Sequence, residues 1–123
     1  MPIRKVLVVD DSKTELMFLS DMLQKQGLQV RTAENGEEAL RSLAEDRPDL
    51  ILMDVVMPNL NGFQATRTIS KDPDTAHIPI VLVTTKDQDT DKVWGMRQGA
   101  KAYVTKPIKE EELVTTLKTL LPV

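Results

Sequence analysis

The chain has 123 residues, of which 41% are hydrophobic and 28% are charged, and its formal net charge is −3. This balance predicts one compact globular domain and argues against a protein that binds nucleic acid through a basic surface. The absence of cysteine excludes disulfide bonds, a thiol nucleophile and a thiolate metal site.

The first half of the chain alternates short apolar runs with helical patterns. Lys5 to Val9 predicts a strand, and this run is far too short for a signal peptide or a membrane span. Ser12 and Glu15 then have the spacing of a capping box, and Gly27 fits the position just beyond a helix end. The pattern next predicts a strand at 29–33, a helix at 37–46 and a strand at 50–53. We expect a cytoplasmic protein.

The second half continues the same rhythm. It predicts a helix at 63–70, a strand at 80–83, a helix at 90–98 closed by Gly99, and a strand at 102–105. A C-terminal amphipathic helix is marked by Ile108, Leu113, Leu117, Leu120 and Leu121. The first, third and fourth strands are apolar throughout, as in a parallel sheet covered on both faces. Five strand–helix repeats indicate a doubly wound α/β fold, in one domain over residues 1–123 with no output domain.

Polar side chains follow four of the predicted strands. Asp10 and Asp11 end the first strand, Asp54 the third, Thr84 the fourth and Lys106 the fifth. Ligands bind at the carboxyl ends of the strands in this type of sheet. We therefore expect these side chains to meet in one crevice.

The chemistry of this set favours phosphoryl transfer. Three carboxylates gathered together need a cation, and hard oxygen ligands suit Mg²⁺. Lys106 can neutralise phosphoryl oxygens and Thr84 can donate a hydrogen bond to one. Asp54 is the best candidate nucleophile, while Asp10 and Asp11 are better placed to hold the metal. Each residue alone is better explained as an ordinary turn or strand-end residue, and only their combination is specific.

The chain resembles bacterial response-regulator receiver domains of the chemotaxis-Y-like, single-domain type from end to end. The matching segments are Val9–Ser12, Met53–Pro58 with Gly62, Val83–Thr85, Gln98–Ala100 and Tyr103–Pro107. Segments 56–67 and 83–99 are similar to PilH-type receivers, which act in the chemotaxis-like pathway of type IV pili and twitching motility. The resemblance implies a flavodoxin-like (βα)5 fold with strand order 2-1-3-4-5.

The resemblance also implies a phosphorylation site. Asp54 would accept a phosphoryl group from a CheA-like histidine kinase. Asp11, Asp54 and the backbone carbonyl of Val56 would bind Mg²⁺ directly, and Asp10 would act mostly through water. Lys106 would pair with the phosphoryl group. The protein would catalyse only its own phosphorylation and dephosphorylation.

A switch is implied as well. The Lys106–Pro107 bond would be cis. Thr84 would move toward the phosphoryl group, and Tyr103 would then change rotamer and reshape the surface of the fourth helix, fifth strand and fifth helix. A tyrosine has an apolar ring and a polar tip, so such an inward and outward change is physically reasonable. The alternative is a partly buried aromatic residue that does not move.

Three further residues bear on the function. Val56 and Lys86 flank the site and offer no carboxylate or amide to orient water, so we expect slow autodephosphorylation. Lys86 either shields the phosphoryl group or points into solvent. Trp94 is predicted to face sideways or outward, because Val93 and Met96 have the spacing of the core face. An exposed tryptophan suggests a partner contact, and packing on its own helix is the alternative.

Two other functions compete with the switch. A pseudo-receiver would bind a partner without phosphorylation, but the complete set of polar residues argues against it. A Mg²⁺-dependent aspartyl-phosphate hydrolase of the haloacid-dehalogenase type would want a second acid at position 56, which is Val56. We expect no nucleic-acid partner, no membrane insertion, and a monomer or weak homodimer. The role as an effector or a phosphate sink stays open.

Overall fold

The computed structural model describes residues 4–120, which form five strands and five helices in alternation. The strands are β1 (Lys5–Val9), β2 (Gln29–Ala33), β3 (Leu50–Met53), β4 (Ile80–Thr84) and β5 (Ala102–Thr105). The helices are α1 (Lys13–Lys25), α2 (Gly36–Glu45), α3 (Gly62–Lys71), α4 (Asp89–Arg97) and α5 (Glu110–Leu120). Where the sequence predicted bounds, the observed ones differ by a single residue at most. Leu121 lies outside the described residues.

All the strands pair in parallel in one sheet, in the order β2-β1-β3-β4-β5. This confirms the predicted (βα)5 doubly wound, flavodoxin-like fold. The register places Val9 opposite both Ala33 and Met53, and Thr84 opposite Thr105. The carboxyl ends of the strands are therefore level at one edge of the sheet. The predicted functional residues lie at this edge, at or just after the strand ends.

The core is divided by the sheet into two layers because successive side chains of a strand point to opposite faces. Leu7 and Val9 pack with residues of α2 and α3, whereas Val6 and Val8 pack with residues of α1 and α5. Strands β3 and β4 are buried at every position, and β1 at all but Lys5. Their continuous apolar sequences thus reflect coverage on both faces, as predicted.

The helix ends agree with the sequence in part. Gly27 follows the cap residue of α1 with a φ of +82°, a conformation that glycine adopts without strain. The Ser12 hydroxyl accepts a hydrogen bond from the Glu15 backbone at 3.4 Å. Within residues 4–120, however, both hydrogen bonds of a capping box are present at α3. At α1 only the bond to the Ser12 side chain forms, so the capping box predicted there is incomplete. No helix in this range is long and apolar enough to cross a membrane.

Helix α4 departs from its predicted packing. Val93 and Met96 are 53% and 46% exposed, so the prediction that they form the core face is wrong. Gly95 is the buried residue of this helix. A Cβ atom there would lie 2.8 Å from Leu82 of β4, so the helix approaches the sheet through a residue without a side chain. Trp94 is 49% exposed and faces outward as expected.

Candidate functional site

Sheet pairing sets the positions of two acidic residues. The backbone N–H of Asp10 donates to the Ala33 carbonyl at 3.1 Å, and that of Asp54 donates to the Val9 carbonyl at 2.9 Å. The parallel ladder thus continues one residue past β1 and β3. Both carboxylates are brought to the same edge of the sheet at the point where the strands end.

Three carboxylates form an acidic cluster at this edge. Oxygen atoms of Asp10, Asp11 and Asp54 all lie within 4.8 Å of one another. Asp10 and Asp54 are buried, whereas Asp11 is exposed. Backbone N–H groups orient the two buried acids: Ser12 donates to Asp10 Oδ1 at 2.9 Å, and Val55 donates to Asp54 Oδ1 at 2.8 Å. Carboxylate oxygen atoms are hard donors of the kind that Mg²⁺ takes.

Lys106 is the cation of the cluster within the described residues. Its Nζ atom lies 2.6 Å from Asp10 Oδ2 and 3.6 Å from Asp54 Oδ2. Burial acts to lower the pKa of Lys106, but the hydrogen bond to Asp10 and the negative charge of Asp54 outweigh it and raise the pKa. The Lys106 backbone N–H donates to the Thr84 carbonyl at 2.8 Å, and the Lys106–Pro107 bond is cis.

The site contains more negative than positive charge. The pKa of Asp54 is raised, chiefly because the carboxylate is buried and partly because Asp10 is close. The charge of Lys106 and hydrogen bonds from Thr84 and Val55 oppose this effect without cancelling it. One ammonium group therefore does not neutralise three acids. A divalent cation fits this set of oxygen donors and would supply the missing charge.

Lys86 connects the site to the predicted switch residue through its backbone. Its N–H donates to the Thr84 hydroxyl at 3.4 Å, and its carbonyl accepts a hydrogen bond from the Tyr103 hydroxyl at 2.8 Å. Thr84 is fully buried and Tyr103 is half-buried against the core. Burial raises the pKa of Tyr103 to about 12, and the nearby acids Asp91, Asp54 and Asp87 add to this shift. The Tyr103 ring thus packs against the core while its hydroxyl group donates to the Lys86 carbonyl, and this placement is called the inward position below.

The remaining predicted residues surround the cluster. The Val56 side chain is 53% exposed in the loop after Asp54. The Lys86 ammonium group is 3.9 Å from Asp91 Oδ1 at the start of α4, and its side chain is 44% exposed. Trp94 lies on α4, and its exposed position is compatible with a partner contact.

Two glycines at the site have roles that sequence reasoning did not assign. A Cβ atom on Gly62 would lie 2.1 Å from the backbone carbonyl oxygen of Asp54, so only glycine lets α3 begin this close to the backbone that follows β3. Gly95 lies beside the Tyr103 ring, and a Cβ atom on Gly95 would lie 3.0 Å from Tyr103 Cδ2. A glycine within a helical pattern is a recognisable signal, but the sequence does not show what occupies the space.

The comparison with protein families agrees with this geometry. Residues 6–118 match the model of the response regulator receiver domain. The chain belongs to the response regulator receiver family. Receivers of this family are phosphorylated by histidine kinases and typically bind Mg²⁺ through an acidic pocket, which here corresponds to the cluster of Asp10, Asp11 and Asp54.

Individual relatives cover the whole receiver. The chain is 55% identical to the protein PilH of Pseudomonas aeruginosa over 95% of its own length and 97% of that protein. It is 40% identical to the response regulator PleD of Caulobacter vibrioides, over 94% of the chain but 26% of PleD. The solved structure of the chemotaxis protein CheY4 of Vibrio cholerae matches with a TM-score of 0.90 and 35% identity, over 97% of this chain and 99% of that one.

Proposed function

We propose that this receiver accepts a phosphoryl group on Asp54 from a histidine kinase, with Mg²⁺ bound, and thereby switches a protein-binding surface. The observation that supports this most directly is the cluster of three carboxylates with the Lys106 ammonium group at the carboxyl edge of the sheet. Asp11, Asp54 and the Val56 carbonyl would hold the ion, and Asp10 would act through water. The ion would neutralise charge on the transferring group.

The reaction needs little chemistry from the protein. An ionised Asp54 oxygen attacks phosphorus, the bond from phosphorus to the histidine nitrogen of the kinase breaks, and the imidazole leaves. Lys106 stabilises the negative charge of the phosphoryl oxygens, and Thr84 donates its hydroxyl hydrogen to one of them. In this proposal the protein catalyses only its own phosphorylation and dephosphorylation.

The phosphoryl group would act on the surface through Thr84 and Tyr103. Because the Lys86 backbone contacts both hydroxyl groups, a movement of Thr84 toward Asp54 alters the support of the Tyr103 hydroxyl. The surface that responds comprises α4, β5 and α5, with Trp94 as an exposed anchor. A phosphorylated state changes this equilibrium only by the contacts it gains over the free state.

The pathway follows from similarity rather than from the site. The 55% identity to PilH over nearly the whole chain supports a role in chemotaxis-like control of type IV pilus twitching motility, with a CheA-like kinase as donor. Both an effector role and a phosphate-sink role are consistent with this proposal.

Mass measurement with a small phosphodonor tests the function. The protein is incubated with acetyl phosphate and Mg²⁺, and its intact mass is followed over time. We expect the mass of one added phosphoryl group in the wild type. No phosphoryl group should be added when Mg²⁺ is chelated before the reaction, or in Asp54→Asn. The variant Asp21→Asn, at an exposed acid on α1, is the matched control and should behave as the wild type.

Other results would favour the competing functions. No uptake by the wild type, with binding to a partner retained, would indicate a pseudo-receiver. Sustained release of phosphate over many turnovers, dependent on Asp54, would indicate a hydrolase and contradict the proposal.

A further inference from the structure

Gly95 is the point at which α4 lies closest to the sheet. It is buried, whereas its neighbours Trp94 and Met96 are exposed. A Cβ atom there would lie 2.8 Å from Leu82 Cδ1 and 3.0 and 3.2 Å from Tyr103 Cδ2 and Cε2, closer than ordinary van der Waals contact. The space beside Gly95 is therefore already filled by two side chains.

The backbone at Gly95 does not itself require glycine. Gly95 lies inside α4, and the positive-φ glycines among the described residues are Gly27 and Gly99. Alanine is a better helix former than glycine at such a position. The feature that alanine would disturb is the packing of Leu82 and Tyr103.

The two neighbours differ in their freedom to move. Leu82 is fully buried at the centre of β4, so it has no route out of the core. Tyr103 is half-buried on β5, the edge strand, and a change of rotamer takes its ring to solvent. That movement also vacates space into which Leu82 can shift. A side chain at position 95 thus acts selectively against the inward position of Tyr103.

We propose that Gly95 is a positioning residue of the switch, whose missing side chain admits the Tyr103 ring and keeps its hydroxyl on the Lys86 carbonyl. The positional claim stands on the packing alone. Its regulatory consequence rests on the proposed function, in which the phosphorylated state of Asp54 favours the inward position of Tyr103. Coupling between two equilibria is reciprocal. A residue that disfavours the inward position must therefore make the phosphorylated state less favourable by the same factor.

Fluorine NMR tests the positional claim without any phosphodonor. The chain has one tyrosine, so incorporation of 3-fluorotyrosine into the full chain places a single probe on Tyr103. For Gly95→Ala we expect the resonance to move toward the position of the unfolded protein and to become more sensitive to exchange of H₂O for D₂O. A resonance that stays in the wild-type position overturns the proposal.

A matched control distinguishes the effect of the added side chain on packing from its effect on the stability of the helix. Thr90→Ala raises helix propensity at an exposed position of the same helix and should leave the resonance unchanged. A shift equal to that of Gly95→Ala would overturn the proposal. Combining Gly95→Ala with Leu82→Val removes the atom nearest to the added methyl group but leaves its close contacts with the Tyr103 ring, so the resonance should stay displaced. A return to the wild-type position would show that Leu82 and not the ring limits the space, and would overturn the proposal.

The regulatory consequence has its own measurement. With Mg²⁺ and beryllofluoride, a phosphoryl mimic that binds reversibly, Gly95→Ala should need a beryllofluoride concentration at least about fivefold higher for half-maximal binding, the lower end of typical coupling. An unchanged midpoint beside a shifted resonance overturns the regulatory part. If the wild type itself takes up no phosphoryl group, the proposed function fails, whereas the fluorine result still decides the role of Gly95.

Discussion

Helices α1 and α4 are held to the sheet in opposite ways. Helix α1 buries four apolar side chains, which are Leu16, Leu19, Met22 and Leu23. Helix α4 buries Gly95 alone and exposes Val93, Trp94 and Met96. Burial of apolar area is the main force that fixes a helix, so α1 belongs to the rigid part of the receiver. Helix α4 has few such contacts and can shift at small energetic cost.

The largest effect should come from removing an anchor of α1. Leu23 is completely buried, and Leu23→Ala should lower the free energy of unfolding by about 3 kcal/mol, through lost burial and the cavity left behind. Urea unfolding followed by circular dichroism gives this value. The control Met17→Ala changes a 68% exposed residue of the same helix and should have little effect. Equal losses in the two variants would contradict the described packing of α1.

The acidic cluster at the carboxyl ends of β1 and β3 is a third region, and a substitution there should stabilise the protein. Because the pKa of Asp54 is raised in the folded chain, its ionisation favours the unfolded state at neutral pH. Asp54→Asn should therefore raise stability by on the order of 1 kcal/mol, or about 4 °C in Tm. The gain should vanish below about pH 4, where the carboxyl group is protonated in both states.

Thermal melts across pH, with and without Mg²⁺, measure this effect. Mg²⁺ should raise the Tm of the wild type more than that of Asp54→Asn, since the variant lacks one charged ligand. A variant that is less stable at neutral pH without Mg²⁺ would contradict the charge imbalance described for the site.

Val56 and Lys86, in the loops that follow β3 and β4, should control the phosphoryl lifetime. Neither Val56 nor Lys86 offers a carboxylate or an amide to orient an attacking water, and the Lys86 ammonium group lies toward Asp91. We expect a lifetime well above seconds, shortened a few-fold by Lys86→Gln, which introduces an amide. Intact mass after removal of the phosphodonor measures this decay, and Lys92→Gln at an exposed position of α4 is the control. A wild-type lifetime of a few seconds would show that this reasoning is wrong.

The smallest effect is expected on the outer face of α4. Trp94→Ala should change the free energy of unfolding by less than about 0.5 kcal/mol, because a half-exposed residue away from buried networks contributes little to stability. Chemical unfolding gives this value. A loss of 2 kcal/mol or more would mean that α4 is anchored much as α1 is, and the contrast between the helices would disappear.

The amino-acid pattern alone determined most of the architecture. Continuous apolar runs predicted β1, β3 and β4 because both faces of these strands are covered, and the turn signals placed nearly every helix end within a residue. The acidic cluster was also predictable, since residues that follow parallel strands must meet at one edge of the sheet. The strand order came from the family resemblance.

Only the tertiary structure decided how α4 packs and what surrounds Tyr103. Helical spacing assigned Val93 and Met96 to the core, yet Gly95 is the buried residue. Hydrophobic periodicity records which side chains favour burial, but a close approach between a helix and a sheet depends on a side chain that is absent. Likewise, the inward position of Tyr103 depends on a backbone carbonyl seventeen residues away, which only the folded chain brings within reach.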